Sequence, residues 1–173
     1  MVAQFNETLK IGKMAEARAE QYFKKLNIKY QDVRNNPEYQ AIDVDYLTDK
    51  LGKVEVKANC DLAIKGIQDI FFWIELEVGD KVGWWYFTEC DNFLFFGGKH
   101  SVLVKNDDKF KAFVNDAIET GDHSAMGNHR FDYKPDGRSN KIITAKNMRV
   151  YLFDLVKNNL DFTRLVKRSS VTK

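Results

Sequence analysis

Between Ile42 and Asn59 the chain reads IDVDYLTDKLGKVEVKAN, and four of its side chains carry chemistry: Asp43, Asp45, Glu55 and Lys57. Successive side chains of an extended strand point to opposite faces, which puts Asp43 and Asp45 on one face and Ile42, Val44 and Tyr46 on the other. The second run repeats the pattern, with Glu55 and Lys57 opposite Val54 and Val56, and Thr48 to Gly52 reads as the hairpin turn between the runs. Acids and a lysine on one hairpin face can simply pair across the strands, worth about 0.2–1 kcal/mol per pair on a half-exposed surface. Alternatively, they gather charge at one place for a task. Asp43, Glu55 and Lys57 all avoid the apolar face in this reading, so substituting them should leave folding largely intact.

The surrounding pattern supplies elements to hold this hairpin. Asn6 to Leu26 has helical periodicity, with Asn6 as N-cap and Ile11, Ala15, Ala19, Tyr22, Phe23 and Leu26 on one stripe. Gly12, Glu16 and Glu20 form a row beside that stripe, which places Glu16 at the edge of whatever the helix covers. A short strand is expected around Tyr30 to Val33, followed by the Asn35-Asn36-Pro37 turn. After the hairpin, Asp61 to Asp69 reads as a connector. Ile70 to Val78 then alternates as a long strand, with Glu75 beside Trp73 on its polar face. Strands are expected at Asn92 to Phe96 and Ser101 to Lys105, with Gly97 and Gly98 between them. A helix follows at Lys109 to Glu119, with Gly121 as its stop. Residues 121–141 lack a period and read as a long mobile loop, and Lys146 to Asn158 reads as a final helix through Met148, Tyr151, Leu152, Leu155 and Val156. This order implies an α/β fold with a central mixed β-sheet flanked by helices.

The 173 residues suit one domain: a core at 1–120, with 121–173 adding a loop, a C-terminal helix and a basic tail. No run approaches the roughly 18 apolar residues of a membrane span, and MVAQFNETLK lacks a charged region followed by an apolar core. A cytoplasmic, intracellular protein is expected. Cys60 and Cys90 are the only cysteines, and they form neither a disulfide framework nor a zinc motif. Charge is uneven. Residues 1–129 carry 16 Lys and Arg against 21 Asp and Glu, a net −5, whereas residues 130–173 carry 11 against 4, a net +7. The basic part, including Arg164, Lys167 and Arg168, either contacts a phosphate backbone or aids solubility.

Together, Gly12-Lys-Met-Ala-Glu16, Asp43 in AIDVDY and Glu55-Val56-Lys57 resemble the PD-(D/E)xK nuclease superfamily over roughly the first half of the chain. Ala41-Ile42 stands where that family's signature proline would precede the aspartate. A second resemblance, to small phage-encoded nuclease-like proteins, lies in IFFWIELEVGDKVGWWYFTECDNFLFF. The resemblance implies a restriction-endonuclease-like core and a Mg²⁺-dependent nuclease, with Mn²⁺ able to substitute, cutting DNA. Asp43, Glu55 and the carbonyl of Val56 would be the metal ligands, and Mg²⁺ suits such oxygen donors. Lys57 would serve the attacking water or the phosphate, and Glu16 would reach the site from the first helix. A homodimer is compatible with cutting both strands.

Other candidates weigh less. Asp45 shares a face with Asp43, and Glu75 borders the same region. Trp84, Trp85 and Tyr86 either stack on bases or fill the core. His100, His123 and His129 have no metal-ligand spacing. The competing reading is a non-catalytic nucleic-acid-binding or protein-interaction domain that keeps the fold.

Overall fold

The computed structural model describes residues 5–58, 71–97, 100–120, 126–133 and 141–166. The expected connector at 61–69, Cys60, Gly98, Gly121, His123, Lys167 and Arg168 lie outside them, and the His100 and His129 side chains are likewise not described.

Helix α1 (Phe5–Lys25) forms where the helical stripe was expected, but it already includes Phe5, so Asn6 lies within the helix and is not its N-cap. Its small residues Ala15 and Ala19, with Phe23, are buried, and their size lets the helix lie close against a sheet. Leu26, expected on the same stripe, falls past the helix end and is exposed. The chain continues through β1 (Tyr30–Asp32), a short α2 (Pro37–Gln40), β2 (Tyr46–Thr48) and β3 (Gly52–Ala58). Strand β4 (Phe71–Val78) and β5 (Lys81–Val82) follow, then a 3-10 turn at Trp84–Tyr86, β6 (Asn92–Gly97), β7 (His100–Lys105) and α3 (Asp108–Thr120). The last elements are β8 (Met126–Tyr133), β9 (Lys141–Tyr151), α4 (Leu152–Lys157) and β10 (Phe162–Val166).

These strands make two sheets, ordered β1-β2-β3-β6-β7-β10 and β5-β4-β9-β8. The first is mixed: β3 runs parallel to β6, and its other pairings are antiparallel. Val54 and Val56 face α1, where Ala15, Ala19, Phe23, Tyr46, Leu94 and Phe96 complete one core. The opposite face is also covered. There Phe93 and Phe95 meet Phe72, Ile74 and Leu76 of the second sheet, with Phe110 and Val114 of α3. The Phe72 and Phe95 rings stack at 3.9 Å between centroids. The polar face of the hairpin is therefore no solvent surface: Glu55 and Lys57 point into the seam between two sheets.

Four expectations need correction. Asp43 is on no strand, because the chain leaves extended geometry there at φ 52, and Val44 packs in the core opposite the one that holds Tyr46. Residues 126–133, expected as mobile loop, form β8, and the expected helix from Lys146 is strand β9 as far as Tyr151. The cause is β4, an apolar strand that needs a hydrogen-bonding neighbour along its length. Strand β9 provides it from Tyr151↔Phe71 to Ala145↔Val78, across one bulge between Glu75 and Glu77. Only Leu152 onward turns helical, started by the Asp154 carboxylate accepting from the Tyr151 N–H at 2.9 Å. The segment after Asn158 was read as basic end, but it contains β10, which pairs with β7. Trp84 and Trp85 are core residues, whereas Tyr86 is exposed. Among the described residues no helix is long and apolar enough to cross a membrane.

The β2–β3 turn depends on Gly52, whose φ of +65 is costly for any residue with a Cβ. A Cβ there would lie 2.1 Å from Oδ2 of Asp91, the oxygen that accepts the Lys53 N–H at 2.7 Å. Gly52→Ala should therefore cost about 2–3 kcal/mol and lower Tm by at least about 4 °C. Thermal melts check this, and an unchanged Tm would show that the hairpin is not held by this turn.

Candidate active site

Each acidic side chain in the seam is aimed by a local backbone event. Helix α2 is capped by Asn36, whose side chain accepts from the Glu38 N–H at 3.0 Å. It ends in a tight reversal in which the Asp43 N–H donates to the Gln40 carbonyl and the Val44 N–H to the Tyr39 carbonyl. Asp43 completes the reversal in the left-handed region, which aspartate tolerates better than most residues. Its carboxylate then meets Lys57 from outside the sheet. Two residues later the chain has rejoined the ladder, with the Asp45 N–H donating to the Val54 carbonyl at 3.0 Å. The Asp45 carboxylate takes over as acceptor for the next ladder position, receiving the Val56 N–H at 2.9 Å. Because a strand residue's N–H and C=O point to the same side, the Val56 carbonyl also faces this side, beyond the end of β2.

Glu55 and Lys57 come from β3, two residues apart and so on one face. The Lys57 ammonium lies 2.6 Å from Oδ2 of Asp43 and 2.7 Å from Oε1 of Glu55. Two contacts of 2.6 and 2.7 Å to one nitrogen put those carboxylate oxygens no more than 5.3 Å apart. Beneath the ammonium lies the Trp84 ring, at 4.6 Å from its centroid. Glu55 is only 4% exposed.

Electrostatics follow from burial and unequal numbers. Burial works against a charged Lys57, but Glu55 and Asp43 outweigh it and hold the ammonium above the ordinary lysine range. Paired in this way with Asp43 and Glu55, Lys57 carries a positive charge. One lysine does not satisfy the acids around it. Burial pushes the Glu55 carboxyl well above its ordinary range despite Lys57, and Asp45 and Asp43 add to the push. Burial also pushes Asp45 up to about 6, against the Val56 hydrogen bond and Lys57. Glu75 is raised by burial too and feels both Lys57 and Asp43, which places it beside this cluster. Cys90 is a buried free thiol, pushed up to about 12 mainly by burial, and is no nucleophile here.

A cleft of about 510 Å³ opens onto these groups, lined by Glu16, Arg34, Gln40, Asp43, Asp45 and Glu55 among others. The structure thus brings Glu16, Asp43, Asp45 and Glu55 to one cleft, with Lys57 bound to two of them. Glu16 reaches it from α1, but Arg34 holds its carboxylate. Arg34 was missed in the sequence. Its one signal there is Asp32 two residues earlier, which now accepts from its Nε at 2.9 Å. Among the described residues no three His, Cys, Asp or Glu side chains are already gathered as a metal-ligand set, and an ammonium bridges Asp43 and Glu55. The donors nevertheless fit a hard divalent cation. They are all oxygens, they are largely withdrawn from water, and they outnumber the one ammonium that neutralises them.

The Asp45 value fixes a pH window. Its carboxyl holds a proton more tightly folded than unfolded, so its contribution to stability is full below about pH 4, falls as pH rises, and is lost above about 6. Asp45→Asn keeps an acceptor for the Val56 N–H but does not ionise. In EDTA, Tm of this variant should exceed wild type by roughly 2–6 °C at pH 7.5 and match it at pH 4. A gain equal at both pH values would show that Asp45 ionisation is not the cause.

No known family model, curated protein or solved structure matches the chain, so what this cleft does has to be argued from its own geometry.

Proposed function

We propose that the protein is a divalent-metal-dependent nuclease of the PD-(D/E)xK kind, hydrolysing phosphodiester bonds in DNA. The observation that carries this reading is the meeting of Asp43, Glu55 and Lys57 at one point, at 2.6 and 2.7 Å, although they arise from a turn and a strand. The mixed sheet under α1, with β3 parallel to β6, supports a restriction-endonuclease-like core. Asp43 and Glu55 would hold Mg²⁺ or Mn²⁺, with the Val56 carbonyl facing the same side. When bound, the ion would supply an acidified water and charge stabilisation at the phosphoryl group.

The chain's own residues do the rest. Lys57, kept protonated, offers its ammonium to a non-bridging phosphate oxygen and stabilises the charge that develops there. The Trp84 ring beneath it keeps that charge in place and dry on one side. Asp45 fixes the end of β3 and adds negative potential that favours a cation. The net +7 over residues 130–173, a stretch that holds the end of β8 and all of β9 and β10, supports a nucleic acid backbone as partner.

Burial changes how this is tested. Lys57→Ala would remove the shared partner of Asp43 and the buried Glu55 and push the Glu55 carboxyl further toward its protonated form, so it should lower Tm, contrary to the expectation of an unperturbed fold. Asp43→Ala would add left-handed strain, which Asp43→Asn largely avoids. The test is calorimetry with Mn²⁺, followed by cleavage of linear, circular and branched labelled DNA. Asp43→Asn and Glu55→Gln should lose metal affinity at least about tenfold, while Lys57→Gln should keep it and cut at least about 100-fold more slowly. Normal cleavage by Lys57→Gln would remove this active site. A folded wild type that binds no metal and cuts nothing, yet retains DNA, would instead be a binding module.

A further inference from the structure

We propose that Arg34 is a positioning residue that keeps Glu16 out of the metal's inner ligand set and so sets how tightly the cleft holds a divalent cation. This rests on the metal-dependent reading above and adds a control on the same site.

Glu16 and Arg34 line the cleft together with Asp43, Asp45 and Glu55, and among the described lining residues Arg34 is the cationic one. Its Nη1 pairs with the Glu16 carboxylate. The guanidinium is immobilised from behind: Nε and Nη2 donate to Asp32 at 2.9 and 2.5 Å, and Nη2 also lies 3.3 Å from Glu20. Glu20 is fixed in turn by the hydroxyls of Tyr46 and Tyr30, at 3.3 and 3.4 Å. The flat face of Arg34 lies 5.0 Å from the centre of the Tyr46 ring. Acid from α1, acid from the end of β1 and a buried tyrosine thus hold one planar fork.

A lysine could supply the charge but not this geometry, because an ammonium is a point donor while a guanidinium engages several carboxylates in fixed directions. The consequence concerns Glu16. In a cleft already rich in carboxylate oxygen, an untethered Glu16 is the next available anchor for a hard cation. While it is paired with a fixed guanidinium, it can reach the cation only by giving up that pair. Arg34 and the metal are therefore competitors for one carboxylate. Glu16 stays at the wall of the cleft, and the cation is left to Asp43 and Glu55.

The test is Mn²⁺ binding by calorimetry on the full chain without DNA, with melts to confirm folding, for wild type, Arg34→Lys, Arg34→Gln, Glu16→Gln and the Arg34→Gln, Glu16→Gln double variant. Arg34→Gln should bind Mn²⁺ about fivefold tighter or more, and Arg34→Lys, which keeps the charge and loses the fork, should also bind tighter. Glu16→Gln alone should stay within about twofold of wild type, and adding it to Arg34→Gln should erase the gain, a non-additivity that a purely structural role would not produce. Should Arg34→Gln fail to fold, Arg34→Lys decides the matter. Folded Arg34 variants that bind Mn²⁺ no tighter than wild type overturn the proposal, and so does a gain that survives Glu16→Gln. Wild-type protein that binds no Mn²⁺ would remove the metal reading of the cleft as well, whereas wild-type binding with unmoved variants removes this proposal alone.

Discussion

A single ammonium shared by two carboxylates in the seam between two sheets is the interaction on which the rest of the candidate site depends. Lys57 is attached to β3, whose far neighbour β6 places Phe93 beside Glu55 and Phe95 beside Lys57. Those rings are core residues, so the strand cannot turn its charged face to water without exposing them. The charges must therefore be satisfied inside. Asp43 does this by leaving the strand, and the left-handed residue, the capped α2 and the reversal through Tyr39 all serve to bring one carboxylate to Lys57. Removing the ammonium would take from Asp43 and the buried Glu55 the partner they share, and would drive the Glu55 carboxyl further toward its protonated form.

Much of the architecture was legible because its signals are local. The helical stripe of α1, the alternation of β3 and β4, and the strands β6 and β7 follow from periodicity, and α3 differs from its expected limits by one residue at each end. What was not legible depends on partners far along the chain. Met148, Tyr151, Leu152 and Leu155 have helical spacing, yet the first two belong to β9 because β4 needs a neighbour to complete its hydrogen bonds. The hairpin's polar face read as exposed because nothing in IDVDYLTDKLGKVEVKAN tells that a second sheet will cover it. The same holds for Arg34, whose role comes from a meeting of α1 with the end of β1 that no short spacing encodes. Asp43, Glu55 and Lys57 could be picked out as a group from residue type and order. The geometry that joins them, a turn against a strand, could not.

The hairpin also carries its own control for the view that its charges are ordinary surface pairs. Lys53, four residues before Lys57, pairs with Glu89 at 3.0 Å, with side chains 36% and 59% exposed. It is a one-to-one, solvated pair of the kind that contributes little. Lys57 differs in each respect. It is shared between two acids, its surroundings are largely dry, and Asp45 and Glu75 add negative charge that it leaves unmatched. A pair selected for stability would be balanced, or would be replaced by apolar side chains at no cost. An excess of buried acid around one ammonium makes the folded state less stable than it could be. That cost is intelligible if the acids await a cation that arrives from solution, since a bound divalent ion would neutralise the excess that the protein's own lysine leaves behind.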